Sequence, residues 1–317
     1  MTERQRPAAM RKYPPGRILL ATDLSARCDR ATDRALRLAK AWQAELTVLN
    51  VIEGAEPPQP GPYERGSGAR RLRAEQLTRE AVLGQDVRID VAVEKGNAAD
   101  IILRKAAELD VGLVVIGIAR EETLARSILG TTVDRLVRRA PMPVLVVKNR
   151  PHRDYQTMVV ATDFSPSSKH ATEQAAALFP DARVLLFHAY HVPFAGFLDN
   201  DASREELRDQ AQQECSAFLS RLAVPPEALK TLECHIEHGS ADAVIGAYAR
   251  DNEVDLVALG THGRSGVFDV LVGSTAEVLL SHLPCDMLVV REPRAVRGAT
   301  PEPDTSTPAA GPRHSSL

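Results

Sequence analysis

The chain contains no long apolar segment and little excess of charge of either sign. No run approaches the roughly 20 residues that a membrane-spanning helix needs, and residues 1–11 are polar and basic, without the apolar core of a signal peptide. The formal net charge of -3 gives no overall electrostatic reason to expect a nucleic-acid partner. We therefore expect a cytoplasmic protein that neither spans a membrane nor binds nucleic acid.

Cysteine is also scarce. The chain has only Cys28, Cys215, Cys234 and Cys285, without a C-x-x-C pair, which argues against a disulfide framework and fits a reducing compartment. Residues 234–238 read C-H-I-E-H, but in a strand His235 points away from the face that Cys234 and His238 share. Two ligands are fewer than a structural zinc site needs. The sequence thus predicts no metal site, although metal binding by Cys234 and His238 stays open.

What the sequence does contain is an internal repeat. Residues 116–131 read I-G-I-A-R-E-E-T-L-A-R-S-I-L-G-T, and residues 259–274 read L-G-T-H-G-R-S-G-V-F-D-V-L-V-G-S. The outer glycines match in register, but Gly263 of the second copy faces Arg120 of the first. A chain of 317 residues suits two domains of about 150 residues each. We assign them to residues 16–149 and 157–292, joined by a linker at 150–156 and flanked by disordered tails at 1–15 and 293–317.

Each half alternates short apolar runs with amphipathic segments. Runs such as Ile18–Leu20 and Met158–Val160 are typical of strands that are covered on both faces. Small polar residues at Asn97, Ser165 and Ser240 are predicted to cap the helices that follow. Strands that alternate with helices imply right-handed crossovers and a parallel sheet between two helix layers. The predicted fold class is therefore α/β, with two tandem doubly wound domains.

In such a sheet, ligands bind beyond the carboxyl ends of the strands, where the strand order reverses. The loop with Asp163 and the loop that begins at Gly260 should meet there. Gly260 and Gly263 would let a phosphate approach the backbone, while Gly273 and Ser274 would offer unpaired N–H groups at a helix start. Asp163 could then bind the polar edge of a base. The alternative is that the glycines only make tight turns, and that Asp163, followed by Phe164 and Ser165, serves only a turn and a helix cap.

The spacing Gly260-x2-Gly263-x9-Gly273-Ser274, with Ala161-Thr162-Asp163 after the first strand of that half, resembles the ATP-binding pattern of the universal stress protein family. The resemblance covers nearly all of residues 16–292, including L-L-F-H-A at 185–189 and P-C-D-M-L-V-V at 284–290. The chain is thereby identified as a tandem member of the family. The resemblance implies a five-stranded sheet of order 3-2-1-4-5 in each domain.

The resemblance also implies that the second domain holds ATP or ADP, with or without Mg2+. It places Asp163 and Ala189 at the adenine, with Ala161 and Thr162 beside it. It places Gly260 against ribose and phosphate, and it assigns the phosphates to Gly263, Arg264, Gly273, Ser274 and Thr275. Ala189 stands where many members have valine, and this change keeps the wall apolar.

The first domain departs from the pattern. It keeps Asp23, Gly117, Gly130 and Thr131, but Arg120 replaces the middle glycine and is followed by two glutamates. The two carboxylates would repel phosphate, and a long side chain occupies the place where backbone would have to approach. We expect this half to bind no ATP, and the alternative is that Arg120 is itself a substitute phosphate ligand. Its role as a pseudo-dimer partner or as a pocket for another ligand stays open.

Three functions compete. The first is a non-catalytic stress-response regulator, in which bound nucleotide alters contacts with an unknown regulatory protein. The second is a slow ATPase in which His262 or Asp269 orients a water, although neither lies in a recognisable catalytic constellation. The third is a scaffold that binds no nucleotide and docks partners through residues 53–68 and the tails. Because the fifth strand can mediate pairing in the family, the two domains could form an intramolecular pseudo-dimer, and further homodimerisation stays open.

Overall fold

The computed structural model describes residues 13–25, 28–53, 67–82, 84, 86–121, 126–128, 130–190, 201–225, 229, 232–263 and 273–293. The elements of the first half are β1 (Arg17–Thr22), α1 (Asp29–Trp42), β2 (Glu45–Ile52), α2 (Ser67–Ala81), β3 (Ile89–Lys95), α3 (Ala98–Glu108), β4 (Leu113–Gly117), β5 (Ala119–Glu121), β6 (Arg126–Ile128), α4 (Thr131–Arg139) and β7 (Val144–Val147). Those of the second half are β8 (Thr157–Ala161), α5 (Pro166–Leu178), β9 (Arg183–Tyr190), α6 (Asp201–Leu219), β10 (Glu233–His238), α7 (Ala241–Asp251), β11 (Leu256–Gly260), α8 (Ser274–His282) and β12 (Asp286–Val290).

Ten of these twelve strands form one sheet in the order β10-β9-β8-β11-β12-β7-β4-β1-β2-β3, and β5 pairs with β6 in a separate two-stranded sheet. Within each half, neighbouring strands are parallel and follow the predicted order 3-2-1-4-5, so the predicted fold class is confirmed. The two halves join where β12 pairs antiparallel with β7, with Leu288 opposite Leu145. The fifth strands therefore create a pseudo-dimer within one chain.

Apolar side chains on the two faces of this sheet form two cores. One face carries α1, α5 and α6, and the other carries α3, α4, α7 and α8. Each core contains residues of both halves, such as Leu20 with Val160 on one face and Leu19 with Val159 on the other. These four side chains are fully buried, as their continuous apolar runs predict. The cores are thus shared between the halves.

A buried polar group also crosses the junction. Asp286 accepts hydrogen bonds from the amides of Lys148 (2.8 Å) and Asn149 (3.0 Å) and from the Tyr155 hydroxyl (2.7 Å). Arg34 of α1 lies over the Tyr155 ring, with Nε 3.6 Å from Asp286 Oδ2. Burial raises the pKa of the Asp286 carboxyl, whereas the hydrogen bonds from Lys148 and Tyr155 favour its ionised form. We call Arg34, Lys148, Tyr155 and Asp286 the junction cluster.

Two of the three predicted helix caps form hydrogen bonds. Ser165 precedes Pro166 and its hydroxyl accepts the Ser168 amide, and the Asn97 side chain accepts the Asp100 amide. Ser240 occupies the N-cap position of α7, but its side chain caps nothing, so that part of the prediction is wrong. The first amides of α7 are therefore left without a side-chain cap.

The cysteine prediction also needs correction, because Cys215 of α6 and Cys234 of β10 are joined by a disulfide. The sequence pattern missed this pair because α6 folds back onto β10, which brings together residues that local spacing does not connect. No helix in the described part of the chain is long and apolar enough to cross a membrane. Most of both predicted tails, at residues 1–12 and 294–317, lies outside the described residues.

Candidate functional site

A cavity of about 490 Å³ opens at the carboxyl end of the second half of the sheet. It lies between the ends of β8, β9 and β11 and the first turns of α7 and α8. This is the crevice at which the strand order reverses. From β8 the sheet continues through β9 and β10 on one side, whereas β11 and β12 lie on the other side of β8. Its volume is within the range of roughly 300–1,000 Å³ that is usual for small-molecule sites. We call it the second-half cavity.

The structure brings the predicted site residues together around this cavity. Those that line it are Ala161, Thr162, Asp163, Ala189, Gly260, Gly263, Gly273, Ser274 and Thr275. Arg264 lies outside the described residues. The residues come from segments far apart in sequence, and the parallel sheet places their ends at one edge.

The lining also includes residues that the sequence reasoning missed. Phe187, Ile245 and Leu259 are buried and form an apolar wall, and Ser240 and Asp242 line the cavity from the start of α7. Two signals could have found them. Phe187 faces the same side of β9 as Ala189, since strand residues alternate, and α7 follows β10 at the same carboxyl edge.

A tight turn positions Asp163. The hydroxyl of Thr162 accepts the Phe164 amide at 2.9 Å, Phe164 has a left-handed φ of 62°, and Asp163 Oδ1 accepts the Ser165 amide at 3.1 Å. The first half repeats this turn at Thr22–Ser25, with a φ of 61° at Leu24. Asp163 therefore closes the turn, Ser165 caps the helix that follows, and Asp163 lines the cavity as well.

The glycines of the loop serve different purposes. A Cβ on Gly260 would lie 2.5 Å from Ser167 Oγ and 2.9 Å from the Ser167 backbone, so close packing against α5 requires glycine there. A Cβ on Gly263 would lie 3.0 Å from Asp163 Oδ2. A Cβ on Gly273 would meet nothing nearer than the Thr261 carbonyl at 3.8 Å, which is ordinary contact. The protein's own packing thus explains Gly260 but not Gly273.

Two helix N-termini point at the cavity. Gly273 is the N-cap of α8 and Ser240 is the N-cap of α7, and neither provides a side-chain cap. The Gly273 amide donates to the Thr261 carbonyl at 3.0 Å, which closes the loop onto the end of β11. Uncapped first-turn amides and the positive ends of two helix dipoles favour an anion at this edge.

His262 also lines the cavity. Its Nδ1 is 2.8 Å from Thr261 Oγ1, and its amide donates to Ser167 Oγ at 3.3 Å. Asp269, the other residue considered for hydrolysis, lies outside the described residues. The described contacts hold the loop to β11 and α5.

The first half has a different loop after its fourth strand. Where the second half continues from Thr261 to Gly263, the first half forms the antiparallel hairpin β5–β6, in which Arg120 pairs with Ser127. Strand β6 contacts α8 of the other half. Position 120 therefore belongs to a hydrogen-bonded strand rather than to an open glycine loop.

The C-H-I-E-H segment does not assemble a metal site. Cys234 is joined to Cys215, while the His235 ring packs on the opposite face of the sheet against Phe187 and Tyr248. Across the described ranges, no group of three or more histidine, cysteine, aspartate or glutamate residues is arranged to hold a metal ion.

Comparison with known proteins agrees with this architecture. The family model described as "Universal stress protein family" matches residues 15–148 and 154–291. A universal stress protein of Mycobacterium tuberculosis is 27% identical over 290 residues, covering 84% of this chain and 92% of the relative. Universal stress protein E homolog of Haemophilus influenzae is 28% identical over 216 residues, covering 63% and 68%.

Solved structures show the same fold. A universal stress protein from Archaeoglobus fulgidus aligns with a TM-score of 0.66 at 17% identity, covering 88% of this chain and 99% of that one. A putative universal stress protein from Pseudomonas aeruginosa aligns with a TM-score of 0.60 at 20% identity, covering 87% and 93%. The chain belongs to the universal stress protein family, with one family domain in each half.

Proposed function

We propose that this stress-response protein binds ATP or ADP in the second-half cavity and regulates a protein partner through its nucleotide occupancy, without catalysis as its main role. The observation that carries the proposal is the meeting of the predicted nucleotide residues, an apolar wall and two uncapped helix starts in one crevice. The compartment proposed with it is the cytoplasm, where ATP is available.

The base belongs at the apolar side of the cavity. Ala161, Ala189 and the buried side chains of Phe187 and Leu259 offer a surface that a flat purine can cover. Asp163 lies at the edge of this surface and could accept a hydrogen bond from the exocyclic amine of adenine. A purine with a carbonyl at that position would instead face a carboxylate, so the proposed site favours adenine over guanine.

The phosphates belong at α8 rather than at α7. Both helix starts favour an anion, but Asp242 places a carboxylate in the cavity within the first turn of α7. The start of α8 presents Gly273, Ser274 and Thr275 to the cavity instead. We propose that these residues, with Gly263 and Arg264, hold the phosphates. Any Mg2+ would be bound mainly through phosphate oxygens and water.

Calorimetric titration with ATP and Mg2+ tests the proposal on the full chain. We expect one site in the wild-type protein and no measurable site in Gly263→Arg, which copies the first half at this position. Gly273→Ala provides the cleaner measurement, since its Cβ has room in the free protein. It should weaken binding about tenfold or more, equivalent to about 1.4 kcal/mol.

Gly130→Ala is the matched control, because Gly130 is the N-cap of α4 and a Cβ there meets nothing within 4 Å. Its affinity should equal that of the wild type. Absence of ATP binding to the wild-type protein would instead favour the nucleotide-independent scaffold. Phosphate release that falls in His262→Ala while affinity stays unchanged would favour the slow ATPase.

A further inference from the structure

A second cavity lies at the outer edge of the same half, away from the nucleotide residues. It has a volume of about 250 Å³ and is lined by Arg208, Gln212, Cys215, Cys234, His235 and Ile236, none of which lines the second-half cavity. Its walls are α6 and β10, and β10 is the last strand of the sheet. We call it the edge cavity.

The disulfide between Cys215 and Cys234 forms part of the wall of this cavity. Cys215 is buried, with 4% of its surface exposed, whereas Cys234 is only partly buried. A reagent in the cavity would therefore reach the Cys234 sulfur more readily. The disulfide links α6 covalently to β10, the edge strand. A reagent that breaks the bond would remove this link.

A cation lines the same cavity as the bond. Arg208, Gln212 and Cys215 are spaced four and three residues apart, so they share one face of α6. Arg208 is exposed and makes no ion pair within the described part of the chain. Its guanidinium can bind a carboxylate in the cavity.

The other two cysteines differ in each of these respects. Cys28 and Cys285 are buried free thiols and line neither cavity. Burial raises the pKa of Cys28 to about 11 and the pKa of Cys285 to about 12, so both stay protonated and unreactive near neutral pH. Of the four cysteines, only Cys215 and Cys234 are therefore accessible to a thiol reagent. In a reducing compartment, such a bond is typically transient rather than structural.

We propose that Cys215 and Cys234 form a thiol–disulfide exchange site for small thiols that carry a carboxylate, with Arg208 as the residue that binds the carboxylate. The thiolate of the small molecule attacks Cys234 Sγ, the bond between the two cysteines breaks, and Cys215 leaves as a thiolate that takes up a proton. A second small thiolate then attacks the small-molecule sulfur of the mixed disulfide and releases Cys234. The products are a small-molecule disulfide and two protein thiols, and the reverse sequence closes the bond again.

The test uses the folded, full-length protein and two reducing agents. Glutathione carries carboxylates and 2-mercaptoethanol carries none. Free thiols are trapped by alkylation after timed exposure and assigned by peptide mass. We expect glutathione to open the Cys215–Cys234 bond, oxidised glutathione to restore it, and Cys28 and Cys285 to stay unlabelled while the protein is folded.

Arg208→Gln should slow opening by glutathione about threefold, the size expected for one charge a few ångströms away in water. It should leave opening by 2-mercaptoethanol unchanged. Arg221→Gln, which removes an arginine that does not line the edge cavity, should change neither rate. A bond that resists excess glutathione until urea unfolds the protein would overturn the proposal. Equal slowing of both reagents in Arg208→Gln would overturn the carboxylate recognition.

Discussion

At the scale of single residues, one glycine motif contains positions with different physical roles. The sequence pattern correctly located Gly260 and Gly263 in one loop, but it attributed both to the approach of a phosphate. The structure shows that α5 packs directly against Gly260. The reason could not be read from the sequence, because it depends on how a helix elsewhere in the chain lies on the end of β11.

Gly260→Ala should therefore destabilise the fold whether or not nucleotide is present. The added Cβ would be 2.9 Å from the backbone of Ser167, which cannot move without displacing α5. Overpacking of this kind costs about 1–3 kcal/mol. Urea unfolding of the ligand-free protein measures it, with Gly130→Ala expected to lose less stability, because its Cβ meets nothing within 4 Å. Wild-type stability in Gly260→Ala would show that α5 can move to accommodate a Cβ. The presence of glycine at position 260 would then need another explanation.

At the scale of elements, helices and strands were largely predictable, and the exceptions are short local features that sequence patterns do not resolve. The alternation of apolar runs with amphipathic segments predicted a parallel sheet between helices in each half, and the family resemblance implied its strand order. The β5–β6 hairpin was missed, because its three-residue strands are too short to show periodicity. The cap at Ser240 was wrong, since a suitable residue at the right position does not ensure that its side chain bonds to the helix.

The two equivalent caps offer a matched comparison. Asn97→Ala removes an acceptor for the Asp100 amide and should lower the free energy of unfolding by about 1 kcal/mol. Ser240→Ala removes no cap hydrogen bond, so the ligand-free protein should keep its stability. Chemical denaturation of both variants provides the measurement. Equal losses at the two positions would mean that the Ser240 hydroxyl stabilises α7 in a way that the described contacts do not include.

At the scale of the whole molecule, the repeat predicted two similar domains but not the degree to which they merge. Pairing of β7 with β12 was considered as an intramolecular pseudo-dimer, yet the shared cores and the junction cluster depend on contacts between the halves. The cluster is also asymmetric. Asp286 of the second half occupies the position that corresponds to Pro143 in the first. The Asp286 carboxylate of the second half therefore binds backbone amides of the first half. A pattern within one repeat could not reveal this interaction.

A shared sheet, two shared cores and a buried polar junction predict that the halves unfold together. Both halves of the wild-type protein should unfold in one transition, although multidomain chains often unfold in steps. Asp286→Ala would leave two backbone amides and the Tyr155 hydroxyl without their acceptor and the buried Arg34 guanidinium without its carboxylate partner, which should cost about 3–5 kcal/mol. Asp286→Asn should cost less, because an amide oxygen can still accept from Lys148.

Urea unfolding separates the possibilities when it is followed by two probes. Trp42 is the only tryptophan and lies in α1. The centroid of its ring is 5.7 Å from the ring centroid of Phe179 in the second half, so its fluorescence reports on the junction. Far-ultraviolet circular dichroism reports on the helices of both halves. Coincident transitions in the wild type, shifted to lower urea in Asp286→Ala, are expected from a single cooperative unit. Separate transitions in the wild type would show that each half has enough of its own core to stand alone, and Asp286 would then fix only their relative orientation.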